Sequence, residues 1–90
     1  MNDRIEAAHV DLLDAIVAAL HLPLPSIEAA DEQLYYRLLE RRALAVRIVL
    51  ESNRAVTRDP RLAADAIRTR IAEEPVTYSP NEFDKSWDGR

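Results

Sequence analysis

The sequence contains no cysteine and only one glycine in 90 residues. Without cysteine there is no disulfide, no thiolate metal ligand and no cysteine nucleophile. With Gly89 as the sole glycine there is no glycine-rich phosphate loop, and a sheet rich in tight turns is disfavoured. No apolar run approaches the length of a bilayer span, and no membrane contact is expected. The acid-rich opening does not read as a signal peptide, so a cytoplasmic location is expected. A balance of 16 acids against 12 bases argues against indiscriminate coating of nucleic acid.

What remains is 48% hydrophobic residues, enough for one small core. Ala, Leu, Arg and Glu dominate, and all four favour helix. The 3.6-residue period predicts a first helix from about Asp3 to Leu20, with Ile5, Leu12, Leu13, Ile16, Val17 and Leu20 on its apolar face. Pro23 and Pro25 break it. Ser26 is the expected cap of a second helix reaching about Val56, with Glu28, Asp31 and Glu32 at its positive end. Asp59-Pro60 has the chemistry of a third start, and Pro75 ends that helix. The predicted fold is all-α: a helical hairpin, a third shorter helix and a partly ordered C-terminal tail, assembled as a dimeric helix bundle. Residues 1–75 form the helical domain and 76–90 the tail.

Charge is segregated along the chain. Residues 1–32 carry −6, residues 33–72 carry +5 and residues 73–90 carry −3. A short linker and opposed charges predict that the first two helices are antiparallel neighbours. The second helix is the longer of the two, so its stripe of Leu34, Tyr35, Leu38, Leu39, Arg42, Val46 and Val49 is expected to outrun its cover. Those seven residues are the expected dimer interface, because a symmetric dimer buries one patch on both subunits. Three of the five aromatic residues lie in the tail, which a purely solvating spacer would lack. Tyr78, Phe83 and Trp87, with Asp84 and Asp88, are therefore the expected contacts to a protein partner.

Arg42 falls in the middle of that apolar stripe, where a guanidinium needs a carboxylate or carbonyl partner. An ion pair with the first helix or a second subunit, a snorkelling side chain and a ligand contact all meet that need. His9 also falls on an apolar face and reads as a core histidine. Arg37, Glu40, Arg47, Glu51, Arg54 and Arg58 line the opposite face of helix two, with the spacing of a salt-laced solvated surface. An alternative function uses this arginine-rich segment as a nucleic-acid-associated regulator, although its acids would repel phosphate. No nucleophile, acid–base pair or metal-ligand cluster stands at recognisable spacing, so no enzyme activity, cofactor or metal is expected.

The run Ile27-Glu28-Ala29-Ala30-Asp31-Glu32-Gln33-Leu34, continuing through Leu38 to Val46, resembles the long first helix of the all-helical chorismate mutases. The resemblance covers about a quarter of the chain. It implies a substrate-carboxylate contact at Arg41, while Ser52 stands where that family has a lysine. A small helical mutase is the remote alternative. The residues themselves favour a small non-enzymatic interaction module: an adaptor, a regulator or an antitoxin-like inhibitor acting as a dimer.

Overall fold

A computed structural model describes residues 2–81, with side chains from Glu6 onward. Within them the chain is all-α, with α1 at Asn2–Leu20, α2 at Ala29–Ala55 and α3 at Pro60–Glu73. Among the described residues there is no strand. A single antiparallel bridge joins Pro25 to Pro80.

Local chemistry sets the boundaries. Asp59 caps α3 in extended geometry and accepts a hydrogen bond from the Arg61 N–H at 2.9 Å, with Pro60 in the first turn. Before it, Arg58 adopts φ 54°, a left-handed conformation that costs a non-glycine residue about 1 kcal/mol. The turn is held by Arg58 N–H donating to the Asn53 carbonyl and by Asn53 Nδ2 donating to the Asp59 carbonyl. Ser26 does not cap α2. Its hydroxyl accepts from the Glu28 N–H at 3.1 Å and donates to Asp31 at 2.6 Å, so it fixes the turn ahead of the helix, whose N-cap is Glu28.

The core is built largely of alanine. Ala8, Ala15 and Ala19 of α1, Ala45 of α2 and Ala63 and Ala64 of α3 are buried, and Ile67 is the largest described side chain that is wholly enclosed. Leu12, Ile16, Val49, Leu50 and Ile71 close the edges of this cluster. α1 rests chiefly on α3 and touches α2 over a shorter stretch, so α3 supplies most of the cover that the hairpin reading gave to α2. An ion pair also joins α1 to α3, from Asp11 to Arg68 at 2.7 Å.

A second cluster joins Leu22, Leu38 and Tyr78, flanked by Tyr35, Leu39 and Val76. Tyr78 meets Tyr35 edge to face at 5.8 Å, and its hydroxyl donates to the Pro23 carbonyl. Alongside, Ser26 N–H donates to the Ser79 carbonyl at 2.9 Å and Asn81 N–H to the Leu24 carbonyl at 2.7 Å. The packed body therefore runs through Asn81 and does not stop at Pro75.

Two expectations give way here. Tyr78 is core and not a partner contact: its ring has an apolar cluster to enter and its hydroxyl a carbonyl to satisfy. Leu38, Arg42 and Val46 are buried by this chain's own residues, so the centre of the α2 stripe offers no surface to a second subunit. The α2 stripe is covered further than its length suggests, because Val76 and Tyr78 close over Leu38 while Ala64 and Ile67 of α3 close over Val46.

Candidate interaction face and the arginine clamp

Arg42 leaves the middle of α2 and enters the space where the C-terminal ends of α1 and α3 converge. Nη1 donates to the Ala19 carbonyl at 3.2 Å and Nη2 to the Glu74 carbonyl at 2.9 Å. A helix leaves its last carbonyls unpaired and carries partial negative charge at that end. One cation thus closes two helix ends. Burial pushes the guanidinium pKa down, and the neighbouring Tyr78 and Glu74 push it back up. The Glu74 carboxylate itself pairs with Arg41 at 2.9 Å. Of the partners the sequence allowed for Arg42, the structure supplies carbonyls.

Other polar side chains are similarly occupied. Arg68 donates to both Asp11 carboxylate oxygens, at 2.7 and 3.1 Å. This hydrogen bonding holds the Asp11 carboxyl below the ordinary aspartate range. A depressed folded pKa contributes stability above the ordinary range and loses it as pH falls through the lowered value. Denaturant titrations across the acid range should therefore show wild type more stable than Asp11→Asn near neutrality, with the difference vanishing on acidification. A difference that persists unchanged into acid would contradict this.

The face that is left open lies on the back of α1. Val10, Leu13, Val17 and Leu20 are 42–62% exposed. At 100° per residue they fall within an arc of about 80°, centred about 160° from the alanines that enter the core. α1 is thus apolar on two opposite sides. Ala8, Ala15 and Ala19 face inward with Leu12 and Ile16 at the edge of the core, while Val10, Leu13, Val17 and Leu20 face out. A helix with apolar residues almost all round is normally covered on all sides. Leu44 and Ile48 on α2 and Leu62 on α3 are also exposed, but as isolated residues or a pair, and such scattered exposure is ordinary.

Between the N-terminal half of α2 and the end of α3 lies a groove of about 290 Å³, lined by Leu34, Leu38, Arg37, Arg41, Pro75 and Thr77. Of the expected dimer residues, Leu34 remains exposed at its edge, while Tyr35, Leu39 and Val49 are half-buried. Phe83, Asp84, Trp87 and Asp88 lie outside the described residues. His9 is exposed rather than core, because Ala8 and Leu12 take the inward positions. On the arginine-rich face Arg47 pairs with Glu51 at 3.6 Å and Arg58 Nε donates to the Arg54 carbonyl.

Sequence reasoning missed the outer face because it ranked Leu13, Val17 and Leu20 above alanine as core. The available signal was Ala8, Ala15 and Ala19, spaced by seven and four on the opposite side. Among the described residues no helix is long and apolar enough to cross a membrane. No protein-family model, curated protein or solved structure matches this chain.

Proposed function

We propose that this chain is a non-enzymatic helical interaction module whose docking surface is the outer face of α1. The observation that carries the reading is the inverted use of α1: alanines inside, Val10, Leu13, Val17 and Leu20 outside. Exposed aliphatic side chains in contiguous helical register mark a protein contact. The polar side chains support it, since Arg41, Arg42, Arg68 and Asp59 are each engaged in holding helices or helix ends. Phe83, Asp84, Trp87 and Asp88 stay in the proposal as partner contacts on the strength of their residue types.

The test is the double variant Leu13→Glu, Val17→Glu. Both side chains are exposed, so folding stability should stay within about 0.5 kcal/mol of wild type. Immobilised wild-type chain should retain protein from an extract of its host, its own copies included, and the variant should retain none of it. Equal retention by both would overturn the reading.

A further inference from the structure

We infer that the occupant of the outer α1 face is the same face of a second copy, packed antiparallel. The inference rests on the docking role proposed above and names its partner. Three features of the face point to its own copy.

The first is spacing. Val10, Leu13, Val17 and Leu20 are separated by three, four and three residues, the repeat of a helix–helix seam. That series reads the same in both directions. A two-fold axis perpendicular to α1 therefore maps the seam onto itself, and a two-fold interface requires such self-complementarity.

The second is size. With the axis midway along the seam, Val10 meets the partner's Leu20 and Leu13 meets the partner's Val17. Every layer then holds one valine and one leucine, so all layers have equal volume. A parallel pairing would instead alternate valine–valine with leucine–leucine layers.

The third is charge. Glu6 is exposed one turn before Val10 on the same face. A parallel pairing would set Glu6 against the partner's Glu6, a like-charge contact. The antiparallel pairing sets it level with the partner's segment from His21 to Leu24, and no acid occurs between His21 and Ile27.

The seam is about 15 Å long, at 1.5 Å per residue. Four seam residues a side are few beside the roughly 20–30 a side of a standard interface, so the dimer should be weak and reversible, dissociating in about the micromolar range.

Sedimentation equilibrium of the full chain, from about 10 μM to about 1 mM, reads the association. The mass should rise with concentration from 10.2 kDa toward twice that value. Leu13→Glu, Val17→Glu should remain at 10.2 kDa throughout. Orientation is read from disulfides, which the cysteine-free sequence makes unambiguous. Equal amounts of Leu13→Cys and Val17→Cys chains are mixed and oxidised mildly, each disulfide forming as two thiols lose two protons and two electrons to oxygen or diamide. Mixed 13–17 dimers in excess of the half expected by chance support the antiparallel seam. A predominance of 13–13 and 17–17 dimers overturns it. A mass that stays at 10.2 kDa at every concentration overturns the second copy as occupant. If retention from extract still depends on Leu13 and Val17 in that case, the docking surface stands with another partner; if it does not, both readings fall.

Discussion

Arg42→Met should lower the stability of this domain by about 2–4 kcal/mol, because it orphans the buried Ala19 carbonyl at about 1–3 kcal/mol and the part-buried Glu74 carbonyl at about 1 kcal/mol. For a chain of this size that corresponds to a fall in Tm of more than about 10 °C. Replacing a buried ion pair by apolar residues is often neutral, because both charges leave together. That escape is closed here. The partners of Arg42 are backbone carbonyls, and no side-chain substitution removes them. Arg42→Lys should fall between wild type and Arg42→Met, since a compact ammonium lacks the forked donors that reach two carbonyls at once. Thermal and urea melts followed by circular dichroism check the series. An Arg42→Met protein within about 0.5 kcal/mol of wild type would mean that water serves the two helix ends equally well.

The second large effect is expected from shortening the chain. Ending it after Pro75 removes Tyr78, Val76 and the hydrogen bonds of Ser79 and Asn81 to the Leu24–Ser26 segment. Loss of the Tyr78 ring alone should cost about 3–5 kcal/mol, in the range of buried aromatic-to-alanine changes. Against a total stability of about 5–15 kcal/mol, the chain ending at Pro75 should be largely unfolded. Ending it after Asn81 leaves all of these contacts in place, and that chain should melt well above the one ending at Pro75. Tyr78→Phe isolates the hydroxyl and should cost about 1–3 kcal/mol through the unpaired Pro23 carbonyl. Equal melting temperatures for the chains ending at 75 and 81 would remove Tyr78 from the core.

These two experiments fall on features of unequal legibility. The helices could be read from the chain because their ends carry covalent constraints: Pro23 and Pro25 after α1, Asp59-Pro60 before α3 and Pro75 after it. Arg42 could be recognised as buried from its place among Leu38, Val46 and Val49. Its partners could not, since every residue has a carbonyl and only the fold selects Ala19 and Glu74. On α1, Leu12 and Ile16 pack inward as expected, but Leu13, Val17 and Leu20 do not, because transfer free energy favours burying leucine whereas close approach of α1 to α3 favours alanine. Packing decided the contest, and Leu13, Val17 and Leu20 lie outside. Tyr78 was misread because an aromatic residue in a polar, acidic segment has the same composition whether it binds a partner or its own body.

The fastening of residues 78–81 onto the segment after α1 has a consequence for biosynthesis. At about 5–20 residues per second, roughly 2–7 s separate the appearance of Arg42 from that of Tyr78. Over that interval the nascent chain completes α2 and adds α3 with the fastener for the α1–α2 junction still unmade, since Tyr78 bonds to a residue 55 positions earlier. Helices form within microseconds, so elongation by the ribosome, and not helix formation, sets when this domain first closes. Slow codons placed before Tyr78 would prolong the time that the unfastened chain is exposed to proteases and chaperones.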